Sequence, residues 1–157
     1  MTTFVDTNVL VYAHDLSETQ RRPVARAALD ALWRTRSGTT STQVLSEFYV
    51  VATRKFDPPM PRRAARQIVG AYTAWPVVQV DGPLILAAST LEERHTLSFW
   101  DALIIEAAAR SGATRLLSED LQTSRRIRGV TIETRSTSAE AAGADELVDG
   151  LVDAGPR

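Results

Sequence analysis

The chain has 157 residues, of which 44% are hydrophobic and 24% charged, with no cysteine and two histidines. That length and composition fit one globular domain with a real core. Disulfides and thiolate metal sites are excluded, and His14 and His95 are too few for a histidine-rich site, so any bound metal must be hard and oxygen-held.

The net charge of −1 conceals an asymmetry. Residues 136–157 carry five acids (Glu140, Asp145, Glu146, Asp149 and Asp153) against Arg157 alone, which leaves 17 basic and 14 acidic residues in the body. Such a body suits a polyanionic partner. The opening Met-Thr-Thr-Phe-Val-Asp-Thr-Asn has no basic segment followed by an apolar one, and no apolar run approaches the ~18 residues of a membrane span. A cytoplasmic chain without a membrane partner is expected.

Thr3 to Asp6 reads as a short buried strand ending in an acid, and Asn8 to Ala13 as a helix. Ser17 and Gln20 have the spacing of a capping box, opening a long helix that ends near Gly38. Val24, Ala25, Ala28, Leu29 and Leu32 give it an apolar stripe. Thr39 to Ser41 is β-prone. The next helix carries Val44, Leu45, Phe48, Val51 and Ala52 on one face and is broken by Asp57-Pro58-Pro59. Pro61 fits the first position of the helix after it. Trp75 to Val80 is a strand, Asp81 caps a helix through Arg94 with Pro83 in its first turn, and Ser98 caps another that ends at Gly112. Thr114 to Leu117 and Val130 to Glu133 complete the strands. Strands separated by helices predict an α/β sheet, mainly parallel and covered on both faces, with a ligand crevice beyond the strands' carboxyl ends. The predicted division is a domain over 1–135 and an acidic, flexible tail over 136–157, in which a short helix around Asp145 to Leu151 is the alternative.

Four acids stand out. Asp6 follows Phe4-Val5 and Asp120 follows Leu116-Leu117, so each lies past the end of a strand, where a capping role is the simpler alternative. Glu47 shares the apolar stripe of its helix, three residues after Val44 and four before Val51. A buried charge there is costly unless it is paired or binds a metal. Asp101 follows Ser98 by three, which suits a capping box and equally aims an acid outward from the sheet edge. Two like charges ~4 Å apart repel by ~4 kcal/mol even at an effective dielectric of 20. A divalent cation would resolve that repulsion. Mg²⁺ or Mn²⁺ prefers such oxygens and can activate a water against a phosphate.

Phe-Val-Asp-Thr-Asn-Val-Leu-Val-Tyr at the start, Leu-Ser-Glu-Phe around Glu47, Ser-Phe-Trp-Asp-Ala-Leu-Ile around Asp101 and Leu-Leu-Ser-Glu-Asp-Leu around Asp120 together resemble the PIN-domain motifs in order and spacing. The resemblance covers about residues 3 to 134 and is strongest to VapC-type toxins of toxin–antitoxin pairs. It implies a three-layer α/β/α fold with a five-stranded parallel sheet. It also implies a Mg²⁺- or Mn²⁺-dependent endoribonuclease whose quartet is Asp6, Glu47, Asp101 and Asp120. Asn8 and Ser118 match site-ordering positions, and Glu119 could share the role of Asp120. An RNA substrate, a small antitoxin, a homodimer and only indirect contact with DNA follow from the same resemblance. Phe48, Tyr49, Phe56 and Trp75 are candidate apolar anchors for those partners. Arg125, Arg126 and Arg128 are candidate phosphate contacts, and Trp100 a candidate base-stacking residue.

Three alternatives stand beside this reading. One is a PIN nuclease of RNA processing. Another is a haloacid dehalogenase-like phosphohydrolase, against which Asn8 stands where a second aspartate is needed. The last is a non-catalytic module whose acids only cap helices.

Overall fold

The structure, a computed structural model, describes residues 1–119, 121 and 125–134. In chain order the elements are β1 (Thr3–Val5), α1 (Thr7–His14), α2 (Arg21–Thr35), β2 (Gly38–Ser41), α3 (Thr42–Arg54), α4 (Arg62–Tyr72), β3 (Val77–Val78), α5 (Gly82–Arg94), α6 (Phe99–Arg110), β4 (Arg115–Leu117), β5 (Arg126–Ile127) and β6 (Val130–Glu133). Asp120 and the acidic tail predicted for 136–157 lie outside the described residues.

The strands form one sheet in the order β3-β2-β1-β4-β6-β5. All neighbours are parallel except β5, which runs antiparallel to β6. The chain steps outward from β1 to β2 to β3, then returns past both to β4. Right-handed crossovers therefore put α1 to α4 on one face and α5 with α6 on the other. The packing agrees: α1 lies against α2 and α3, α3 against α4, and α5 against α6. Direction reverses between β1 and β4, so the carboxyl ends of these two strands flank the switch point where open parallel sheets bind ligands.

The core is laid down along this axis. Phe4 and Val5 on β1, Leu116 and Leu117 on β4, and Ile132 on β6 are buried, as are Leu10 of α1, Val44 and Phe48 of α3 and Leu84 of α5. Helix α6 is buried without a break from Ala102 to Ala108. A helix apolar on all sides needs cover on all sides, and the sheet and α5 supply it. The one charge in that buried stretch, Glu106, accepts a hydrogen bond from Arg128 at 3.0 Å.

Several details differ from the sequence reading. The sheet has six strands among the described residues, not five, because β5 pairs with β6 across a tight turn. Arg128 and Gly129 both take positive φ in that turn, 55° and 77°, as a two-residue hairpin of this hand requires. The Ser17–Gln20 capping box does not form. Ser17 instead turns back to Asp15, and α2 starts at Arg21 with no side-chain cap. Gly38 does not end α2: Arg36 takes the left-handed position, and Gly38 opens β2. Pro61 precedes α4 as its N-cap residue rather than standing inside it. The strand expected from Trp75 shrinks to Val77–Val78, because Trp75 is buried against Trp33 and Tyr72. Asp81 and Ser98 cap α5 and α6 as expected. Among the described residues, no helix is long and apolar enough to cross a membrane.

Candidate active site

Asp6 closes β1 and opens α1, with its backbone N–H bound to Leu117 O of β4 at 3.0 Å. Its side chain is only 8% exposed. Oδ1 accepts the Thr7 N–H at 2.7 Å, and Oδ2 accepts the Ser118 hydroxyl at 2.8 Å. The carboxylate is thus held between the ends of the two central strands. Burial raises its pKa to about 6; the hydrogen bonds from Ser118 and Thr7 oppose that rise, and the negative charges of Glu47 and Asp101 add to it. Two of the other predicted acids, Glu47 and Asp101, therefore bear on Asp6 at the switch point. Asp120 lies outside the described residues.

Glu47 is half-buried on α3, as its place on the apolar stripe requires. Its Oε2 accepts the Thr7 hydroxyl at 2.5 Å and its Oε1 the Gln43 amide at 3.0 Å. Asp101, in the first turn of α6, is partly exposed, and its N–H donates to Ser98 Oγ at 3.1 Å. The cap is compatible with the expected site role, because it uses the backbone and leaves the carboxylate free to project. Asn8 accepts the Glu119 N–H at 3.2 Å, tying α1 to the segment after β4, while the Ser118 N–H donates to Glu133 O of β6 at 3.0 Å. Both contacts thus tie together segments that carry acids.

The donor set fits a hard divalent cation in its chemistry. It offers carboxylate oxygen, and the charges of Glu47 and Asp101 press on a buried Asp6 in the way a cation would relieve. It is not a closed cage: among the described residues, no group of three acidic or histidine side chains is arranged to hold a metal ion. Mg²⁺ does not demand such a cage, because it keeps several waters and takes only one or two carboxylates directly.

The three arginines part company. Arg125 is half-buried, and its carbonyl accepts the Ile132 N–H in mid-strand. Arg126 is exposed and pairs with Thr131. Arg128 sits in the turn before β6, at the sheet's amino edge and away from the crevice, and is engaged by Glu106. Trp100 is 62% exposed beside Asp101, its ring set edgewise against Phe99. His14 lies at the far end of α1, roughly 12 Å along the helix from Asp6. It contacts Phe48 and Tyr72 and lines a cavity of about 250 Å³ with Trp33 and Arg26. Burial lowers its pKa to about 4, helped by Arg26 and Arg22, so it stays neutral. Phe48, Phe56 and Trp75 are buried in the core and cannot be surface anchors; Tyr49 is half-buried.

Two residues of the site escaped sequence reasoning. Thr7 bridges Asp6 and Glu47, and Gln43 completes the hold on Glu47. The Gln43 signal was its place one helical turn before Glu47; the Thr7 contact crosses 40 residues of sequence, which no local pattern reveals.

A switch-point crevice lined with acids, under this strand order, defines a class. The family model of the PIN domain matches residues 3–128, and the chain belongs to that family. Among solved structures, the sarcin–ricin loop cleaving toxin VapC20 of Mycobacterium tuberculosis is 22% identical with a TM-score of 0.59, over 76% of this chain and 92% of that one. A toxin–antitoxin complex from Klebsiella pneumoniae is 20% identical with a TM-score of 0.59, over 83% and 96%. DNA-bound VapBC from Salmonella typhimurium is 17% identical with a TM-score of 0.61, over 85% and 98%. At such identities the likeness is one of fold. No curated protein matches the chain.

Proposed function

We propose that this chain is a Mg²⁺- or Mn²⁺-dependent endoribonuclease and the toxin member of a toxin–antitoxin pair. The observation that supports the nuclease reading is a buried Asp6 at the β1/β4 switch point on which the charges of Glu47 and Asp101 both act. A module whose acids only capped helices would have no reason to concentrate like charge there. Asp6, Glu47 and Asp101, with Asp120, would hold the cation. When bound, the ion supplies Lewis-acid chemistry, acidifying a water and offsetting charge that builds on the scissile phosphate.

The chain's own residues supply the rest. Thr7 and Ser118 fix both oxygens of Asp6, so its orientation is set before substrate arrives. Glu47 is held by two donors, and Asp101 is partly exposed in the first turn of α6. Arg125 and Arg126 are the better placed of the three arginines for an RNA backbone, because Arg128 is paired at the other edge. The toxin reading draws on the structural neighbours, which include a toxin–antitoxin complex and a DNA-bound toxin–antitoxin pair. An antitoxin partner, a homodimer, DNA contact only through the antitoxin, and a cytoplasmic setting go with it.

The test is cleavage of an RNA with accessible single-stranded loops by purified protein, in Mg²⁺, in Mn²⁺ and in chelator. Cleavage should need the ion and should fall in Glu47→Gln and Asp101→Asn. Cleavage that persists in chelator, or survives both substitutions at the wild-type rate, would overturn the mechanism. Co-purification of a small protein expressed from the neighbouring gene tests the partner.

A further inference from the structure

Glu47 is the acid whose position is most fully controlled by other side chains. Thr7 donates its hydroxyl to one carboxylate oxygen at 2.5 Å, and Gln43, one turn earlier on α3, donates its amide to the other at 3.0 Å. Thr7 also gives its N–H to Asp6, so one residue sets two acids. Each carboxylate oxygen has about two acceptor directions, so these bonds leave one free on each for a cation.

The orientation of the Gln43 amide follows from the same contact. Turned the other way, it would press a carbonyl oxygen against a carboxylate. In the orientation present, its own Oε1 is buried and accepts no hydrogen bond among the described residues. A buried acceptor without a partner destabilises the fold, and a hydrocarbon side chain there would avoid that cost. A residue that weakens the fold while serving one acid of the site is placed for function rather than packing.

We propose that Gln43 and Thr7 are positioning residues that together brace the Glu47 carboxylate for cation binding; this rests on the metal-dependent reading given above. The bare alternative is a helical pair four residues apart that merely steadies α3.

The experiment measures Mn²⁺ affinity by titration calorimetry and, separately, thermal stability in chelator. Gln43→Met keeps length and helix propensity but cannot donate; Thr7→Val keeps shape and backbone N–H but lacks the hydroxyl. Each should weaken Mn²⁺ binding about 10-fold, the usual scale for losing a partner that orients a ligand. Neither should fall below Glu47→Gln, and Thr7→Ser, which restores the hydroxyl, should bind as wild type. Stability in chelator should be unchanged or higher for Gln43→Met. A merely structural pair gives the reverse: lower stability in chelator and wild-type affinity. Asp6→Asn separates the two levels. If wild type binds no Mn²⁺, the metal reading fails and the brace with it. If wild type binds, Asp6→Asn does not, and both Gln43→Met and Thr7→Val bind normally, the brace alone is overturned.

Discussion

Asp6 is stabilised as an acid, whereas the proposed function calls for its anion. Its carboxyl titrates near 3.8 in an unfolded chain and at about 6 in the fold. The stability this contributes is fully present below about pH 4 and is lost as pH rises through about 6. At neutral pH the ionised group therefore costs the ion-free fold ~3 kcal/mol. Asp6→Asn in chelator should raise the melting temperature at pH 7 by ~5 °C or more, with the gap closing below about pH 4. The same variant should lose RNA cleavage by about 10³-fold or more in Mg²⁺. An equal or lower melting temperature at pH 7 would show that the carboxylate is not strained. Trp100 is the second residue-scale test. Its exposed ring lies beside Asp101, and a base stacked on an aromatic is worth ~1–3 kcal/mol. Trp100→Ala should raise KM for a single-stranded RNA by about 10-fold with the melting curve unmoved. A KM equal to that of wild type would assign the ring some other task.

At the scale of elements, β2 packs closely at Gly38. A Cβ on Gly38 would sit 2.6 Å from the Trp75 ring, which is itself pinned by Trp33 and Tyr72. Gly38→Ala should destabilise by ~1–3 kcal/mol, read by urea unfolding, because neither strand nor ring can yield. An unshifted midpoint would mean the ring moves freely. The same spot shows where sequence reading reaches its limit. Gly38 looked like a helix end because glycine commonly ends helices, whereas its small size serves a contact with a residue 37 positions on. The caps at Asp81 and Ser98, the stripe of α3 and the strand-end position of Asp6 were legible, since each depends on neighbours within a turn or two. Strand β5 was not, being two residues long and defined only by its partner. The apolar rings of Phe48, Phe56 and Trp75 carried no mark of core against surface, and the core took them.

Over the whole molecule, the last element of the described residues ends at Glu133, and the family match ends at residue 128. A chain ending at residue 135 should therefore unfold in one cooperative transition, and under the proposed function it should cut RNA at the full-length rate. Loss of cooperativity in its denaturation curve would assign residues 136–157 a structural part.

The tryptophans divide the molecule in a way that experiment can exploit. Trp33 and Trp75 pack with their rings tilted by 43° and their centroids 4.9 Å apart, and the Trp75 indole nitrogen is buried without a hydrogen-bond partner among the described residues. Trp100, next to Asp101 in the first turn of α6, is 62% exposed. Intrinsic fluorescence is thus already sorted by position. Trp75 is buried and Trp33 lies at the surface against it, so emission from this pair, coupled closely enough to leave a circular dichroism couplet, reports whether the fold is intact. A red-shifted single emitter, quenchable by iodide, reports what arrives at the crevice. With Trp100→Phe as the blank, folding and occupancy can be followed in one cuvette without attaching a dye.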